Sequence, residues 1–447
     1  GFARGEFSPV EALEAVVWQL DRLEPSLNAF CHLDRPAAMA AAERSAKRWS
    51  GGHPEGLLDG VPISVKDIIL TRGWPTLRGS RTIDPDQPWS EDGPAVARLR
   101  EHGAVLFGKT TTPEFACKAV TDSPLTGITR NPWNLEKTPG GSSGGASAAV
   151  AAGIGPLALA TDAGGSIRIP ASFGHKPSGG RVPMYPPTPY ATLAAFGPIS
   201  RTVADAALML SVIAEPDSRD WEADTDVPVA YHTFLQTDPR QWRIAFSATL
   251  GFVTVEPEIR EIVEQAVKTF EDLGAHVEMV DEVMSNPRPL LERFKRGLTA
   301  YAFRNVPKEV YQKMDSALVD EIEASRGADL IEHLDAQMER AALARRMTAF
   351  HETYDLLVTP TLPVAPFSAG SNHPDGYEGR SWYGFTFPFN LTRQPAASLP
   401  CGMTKTGLPV GLQIVGPRHQ DLRVLQAAHA FERARPWPQR PPIAIAE

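Results

Sequence analysis

Apolar and polar positions alternate in two rhythms along this chain. In "SPVEALEAVVWQLDRLEP", Leu13, Val16, Val17 and Leu20 recur at helical spacing, which gives a helix a single apolar stripe. Ser8 stands as its N-cap, Pro9 takes the first helical position, and Glu11 can complete a capping box. The helical reading covers residues 8–50. "GLLDGVPISVKDII" (56–69) is β-branched and ends in a charged pair, as a strand end does. "PAVARLREHGAVLFGKT" (94–110) reads as a helix, a glycine stop and a short buried strand. Residues 138–200 hold dense Gly, Ser, Ala and Pro around one Ala-rich helix (146–155) and one strand (156–161). From Trp242 the pattern is strand–helix–strand, which favours parallel pairing. Residues 285–350 are charged and helical, with no strand candidate, and predict a cap or a packed helical layer. "YDLLVTPTLPVAP" (354–366) returns as a strand. Residues 395–417 read as two strands around a glycine-containing turn, followed by a helix from about Leu422. Strand and helix alternate throughout, so the expectation is an α/β fold, one domain around one large sheet.

Composition narrows the function classes. The chain has 447 residues, 44 Lys plus Arg against 53 Asp plus Glu, and a net charge of −9. That balance argues against a nucleic-acid partner, which requires a basic face to displace counterions from phosphates. No apolar run approaches the roughly 20 residues of a membrane-spanning helix. Cys31, Cys117 and Cys401 are odd in number and far apart, which fits neither a disulfide framework nor a zinc site. The simplest compartment is the reducing cytoplasm. No cationic-then-apolar leader is seen, and Gly1 in place of Met leaves an upstream segment open. No metal or cofactor is expected.

Two motifs match a pattern without its context. Gly103–Thr110 fits GxxxxGK[ST], but a helix precedes Gly103 and the variable residues are Ala, Val, Leu and Phe. Those residues favour a buried strand, whose amides face neighbouring strands rather than a phosphate. Gly140–Gly144 fits GxSxG, but the preceding "NPWNLEKTP" is loop, whereas a nucleophile elbow follows an apolar strand.

The chemistry lies elsewhere. Two Gly/Ser-rich loops, "TPGGSSGGAS" (138–147) and "TDAGGSIRIP" (161–170), accompany Lys66-Asp67 at the end of an apolar strand. Ala163-Gly164-Gly165-Ser166 offers successive backbone N–H groups with little side chain in the way, which is the make-up of an oxyanion hole. A serine closing that run would attack a carbonyl whose oxygen the run stabilises. Each piece alone has a bland reading, a tight turn or a solvated lysine.

Taken together with "GKTTTPEF" (108–115), "NPWN" (131–134), "GPISRTVADAALML" (197–210) and "FPFNLTRQPAASLPCG" (387–402), these blocks resemble the amidase signature family over nearly the whole chain. The resemblance implies one domain over residues 1–447, with a mixed central sheet flanked by helices. Its signature core would span about 56–215, and residues 284–350 would form a helical region bearing on specificity. It also implies a Ser–Ser–Lys triad. Ser166 is then the nucleophile, Ser142 the bridging serine after a cis peptide bond with Gly141, and Lys66 the general base. The amides of Ala163, Gly164, Gly165 and Ser166 would form the oxyanion hole. Lysine has a reference pKa of about 10.4 and must be depressed to act as a base, which burial does.

Ser143, Arg168 and Tyr383 are the candidates for substrate contact, although an Arg168–Asp162 structural pair is the competing reading for Arg168. Trp382, Tyr383, Phe385 and Phe387 would build an apolar wall. Tyr383 stands near where the tRNA-dependent amidotransferase subunits of the family carry an acidic residue. Ala163 and His175 depart from the family's usual residue types. The implied activity is hydrolysis of a small-molecule amide through an acyl-serine. The alternative is a glutamine-hydrolysing subunit of an amidotransferase complex, and a homodimer is a family-level expectation.

Overall fold

The computed structural model describes residues 1–170, 173–224, 229–377 and 381–443. Ala171 and Ser172 of the second signature loop, Arg380 before the aromatic run, and the last four residues lie outside them.

Eleven strands form one mixed sheet. In chain order they are β1 (Phe30–Leu33), β2 (Pro62–Lys66), β3 (Val105–Thr110), β6 (Leu157–Asp162), β7 (Phe173–Lys176), β8 (Ala195–Ser200), β9 (Arg243–Phe246), β10 (His276–Met279), β11 (Leu356–Pro360), β12 (Ala396–Met403) and β13 (Pro409–Val415). A two-stranded ribbon, β4 (Asp122–Ser123) with β5 (Gly127–Ile128), stands apart from it. The order across the sheet is β1-β3-β2-β6-β8-β7-β12-β13-β11-β9-β10. β3, β2 and β6 run parallel, as do β11, β9 and β10, and the strands between them are antiparallel.

The helices are α1 (Pro9–Leu27), α2 (Arg35–Ser50), α3 (Pro94–Glu101), α4 (Gly144–Ala151), α5 (Val203–Ile213), α6 (Pro257–Asp272), α7 (Arg288–Ala302), α8 (Ser316–Ser325), α9 (Leu330–Thr353), α10 (Pro388–Leu391) and α11 (Asp421–Ala434). They cover both faces of the sheet. Ile244 and Phe246 join α5, α6 and α11 in one apolar cluster, while Ala245 between them joins Met347 of α9 and Phe389 in another. That alternation is the period-2 signature of a strand with both faces buried. All five residues of β2 are buried.

The long first helical reading splits at Leu27, and β1 intervenes before α2. The capping box at Ser8 and Glu11 is formed. Residues 105–110 are β3, paired on both sides, and the Lys109 ammonium is held by the carbonyls of Ile69 and Pro75 and by Asp67. Residues 138–200 contain two further strands, β7 and β8. The stretch from 285 to 350 is helical throughout its regular elements, as expected. No helix among the described residues is long and apolar enough to cross a membrane.

Candidate active site

The site is built where two neighbouring parallel strands end beside one glycine loop. β2 ends at Lys66 and β6 at Asp162, and both residues are buried. The loop before α4 carries Ser142 and Ser143, also buried. Thr121 pins this loop by donating to the Gly140 carbonyl at 2.9 Å and accepting the Gly144 amide at 3.0 Å. A Cβ on Gly141 would sit 2.5 Å from the Val120 carbonyl oxygen, so only glycine fits there. The Gly141–Ser142 peptide is cis.

Lys66 Nζ donates to Ser142 Oγ at 2.8 Å, to Ser143 Oγ at 2.9 Å and to Thr161 Oγ1 at 2.9 Å. Three hydroxyls thus satisfy the three donors of an ammonium group. Burial lowers the Lys66 pKa to about 7, opposed by the more distant Asp162 carboxylate. The ammonium loses hydration and gains no adjacent counter-ion, so its neutral form is favoured. Lys176 provides a contrast, because burial and then Arg168 lower it to about 7 as well. Its Nζ donates to the carbonyls of Pro177 and Gln394, which carry no proton to give up.

The two serines are not equivalent. Ser143 Oγ donates its proton to the Thr161 carbonyl at 3.1 Å while accepting from Lys66. Ser142 Oγ has no acceptor among the described residues, so its proton is the one free to turn toward a neutral amine. Thr161, the third partner of Lys66, is a residue that sequence reasoning misses. Its one signal is its place before Asp162, on the strand leading into the second loop.

The second loop is organised by Asp162. Its carboxylate accepts the Gly165 amide at 2.8 Å and the Ile167 amide at 3.1 Å. Burial alone would raise its pKa, but the Arg168 guanidinium, then Lys176 and Asn390, hold it far below the usual carboxylate range. Thr386 Oγ1 donates to the Gly164 carbonyl at 2.8 Å. Gly165 sits at φ +127°, where a Cβ would lie 2.3 Å from Thr386 Oγ1. Ser166 is half-buried at the mouth of this loop, and its carbonyl accepts the Ser143 amide at 3.2 Å, which ties the two loops together.

Three sequence expectations are corrected here. The Gly165 amide is spent on Asp162, so it is not a free oxyanion donor; among the described residues, the amides of Ala163, Gly164 and Ser166 carry no such side-chain bond. Arg168 is fully buried, and its five N–H donors go to both Asp162 oxygens, the Thr386 carbonyl, Gln413 Oε1 and Asn390 Oδ1. None is left for a substrate, and the structural reading of Arg168 prevails. The expected aromatic wall is divided. Trp382, Tyr383 and Phe387 are buried together, with Ala163 and Tyr190 packed at the edge, whereas Phe385 joins Phe389 in a different cluster. His175 lies buried with Nε2 at 3.4 Å from Asp421 Oδ1, in contact with neither loop serine.

Among the described residues no three His, Cys, Asp or Glu side chains are grouped to hold a metal ion. Residues 11–425 match the family model described as Amidase. The chain belongs to this amidase family. It is 36% identical over 457 residues to an acylamidase of Rhodococcus erythropolis, covering 98% of this chain and 95% of that one. It is 34% identical over 477 residues to the A subunit of the glutamyl-tRNA(Gln) amidotransferase of a Cyanothece species, covering 98% and 97%. Among solved amidases, a bacterial aryl acylamidase of the amidase signature family superposes with a TM-score of 0.89 at 32% identity, covering 97% of this chain and 94% of its own. The 6-aminohexanoate cyclic dimer hydrolase gives 0.88 at 27% identity, covering 98% and 96%. The mixed sheet and flanking helices described above are therefore the amidase signature fold.

Proposed function

We propose that the chain hydrolyses the C–N bond of a small carboxamide through an acyl-Ser166 intermediate, releasing ammonia or an amine. The observation that carries this reading is the contact of a buried Lys66 amine, whose pKa is lowered to about 7, with Ser142, which of the two serines touching it is the one whose proton has no acceptor among the described residues. A serine hydroxyl is a weak nucleophile without a base. In the proposed sequence Ser142 takes the Ser166 proton as its own passes to Lys66 Nζ. Ser166 Oγ then bonds to the acyl carbon. The developing oxyanion is met by the free amides among Ala163, Gly164 and Ser166, whose dipoles are fixed before the reaction begins. The proton returns along the same path to the leaving nitrogen as the C–N bond breaks, and water regenerates the serine by the reverse steps.

Ser166 Oγ has no hydrogen-bond partner among the described residues, and its bond to Ser142 Oγ is proposed to form in the Michaelis complex, where catalytic hydrogen bonds tighten. The apolar cluster reaching Ala163 through Tyr190 and Tyr383 supports an apolar or aromatic acyl group. Labelling by a fluorophosphonate, read by mass spectrometry, is expected on Ser166. Label on another serine, or full turnover by Ser166→Ala, would refute the assignment.

The second reading is one component of an amidotransferase complex, favoured by the match to the amidotransferase relative over almost its full length. Glutamine turnover by the purified chain that appears only with an added partner protein would select it over the free-standing amidase.

A further inference from the structure

A second cavity, of about 680 Å³, lies between α9 and the segment leading from α10 into β12. The Lys66 cluster does not line it. Arg340, Arg345, Arg393 and Arg418 do, and Glu352 is the only carboxylate among its described lining residues. On a chain with a net charge of −9 this is a local inversion of sign.

The four guanidinium groups differ in their commitments. Arg340 is nearly buried and held through all three of its nitrogens, donating to the Leu391 carbonyl at 2.7 Å, to Thr192 Oγ1 at 2.9 Å and to the Thr192 carbonyl. It also lies over the Phe294 ring at 4.9 Å. Burial, with Arg393 and Arg418 adding to it, lowers its pKa to about 10. The other three form no ion pair with a described carboxylate. Arg393 adopts left-handed backbone at φ +59°, and its buried Nε has no hydrogen-bond partner among the described residues. Asp220, Glu222 and Asp224 act on Arg393 only at longer range, and none of them lines the cavity. Arg345 and Arg418 are exposed. Thr192 Oγ1 accepts from Arg340 and keeps its own proton for a ligand.

We propose that this groove binds a compact anion carrying at least two negative charges, of the phosphate or polycarboxylate class, held by Arg345, Arg393 and Arg418. Guanidinium groups match both oxyanion types with paired N–H donors. A concave, low-dielectric wall concentrates their field, and the volume suits a metabolite-sized ligand. Binding adds negative charge to a lining in which Glu352 is the only described carboxylate beside four arginines. The proposal does not depend on the amidase reading of the Lys66 site.

Isothermal titration calorimetry of the full chain with phosphate, pyrophosphate and citrate tests it, with sodium chloride at matched ionic strength as the reference. The expected result is saturable one-to-one binding of pyrophosphate or citrate. Affinity should fall at least tenfold in Arg345→Gln/Arg418→Gln, whose exposed positions leave the fold intact. Tighter pyrophosphate binding identifies a phosphate ligand, and tighter citrate binding a polycarboxylate. Heats no different from sodium chloride for all three anions would overturn the proposal, as would equal affinity in the double variant.

Discussion

The Asp162 carboxylate accepts the Gly165 amide at 2.8 Å and thereby fixes the turn on which Ser166 stands. The same carboxylate neutralises Arg168, which is buried and bonded to residues more than 200 positions away. One acidic side chain therefore sets the backbone of the second loop and, through Arg168, ties it to β13 and α10.

Asp162→Asn should destabilise the fold strongly. It leaves the Arg168 cation buried without a counter-charge, and breaking such a pair typically costs about 3–5 kcal/mol. Urea unfolding at neutral pH measures this. The carboxylate is held below its usual range in the folded state, so its contribution is present above about pH 4 and declines as pH falls through the folded value. The gap between wild type and Asp162→Asn should accordingly narrow in acid, and a constant gap from pH 7 to pH 3 would contradict this account.

Ser142→Ala and Ser143→Ala should separate. The Ser143 proton is committed to the Thr161 carbonyl, so this hydroxyl serves Lys66 only as an acceptor. Loss of the proton relay at Ser142 is expected to cost about 10²–10⁴ in kcat, the range for general acid–base catalysis. Loss of Ser143 removes one hydrogen bond to the amine and should cost about tenfold or less. Equal losses in steady-state kinetics would remove the distinction between the serines.

Much of this architecture is legible in the chain. The box at Ser8 and Glu11, the β9–α6–β10 unit and the placement of Lys66 at the end of β2 all rest on local periodicity and turn chemistry. β7 ("FGHK") and β8 ("AFGPIS") are not legible, because four to six residues with glycine or proline show no alternation. They are strands because the sheet surrounds them. Arg168 and Gly165 illustrate the other limit. Asp162 is local and its pairing with Arg168 is one of the two sequence readings, but Asn390 and Gln413 are brought in by tertiary packing and complete the use of the guanidinium inside the fold. Phe385 groups with its aromatic neighbours in sequence, yet the chain turns there and sends it to the opposite cluster.

Gly165→Ala should cripple both stability and activity. The new Cβ would overlap Thr386 Oγ1 at 2.3 Å in a backbone conformation that L residues rarely adopt. Thr386→Ala in the same chain removes the Oγ1 contact but leaves the residue-386 Cβ at 2.6 Å, Ile169 Cδ1 at 2.8 Å and the φ of +127°, so rescue should be partial. Full recovery of melting temperature and turnover would show that the backbone conformation carries no cost.

Lys66 makes opposite contributions to activity and stability, and the two should be separable by pH. Burial holds its folded pKa at about 7, against about 10.4 in the unfolded chain. Turnover should rise through about pH 7 as the amine loses its proton, and Lys66→Met should lose about 10²–10⁴ in kcat along with that rise. Stability follows a different rule. Because the folded state disfavours the charged form, burying Lys66 costs the most below pH 7, and the cost fades between about pH 7 and pH 10.4 as the unfolded chain also deprotonates. Lys66→Met is therefore expected to be more resistant to denaturant than wild type at pH 6.5, and the difference should shrink by pH 10. Denaturant midpoints at the two pH values, measured beside the pH–rate profile, check both halves. A variant that loses stability at pH 6.5, or a wild-type rate that is flat from pH 6 to 9, would show that this lysine is held as a cation and cannot be the base.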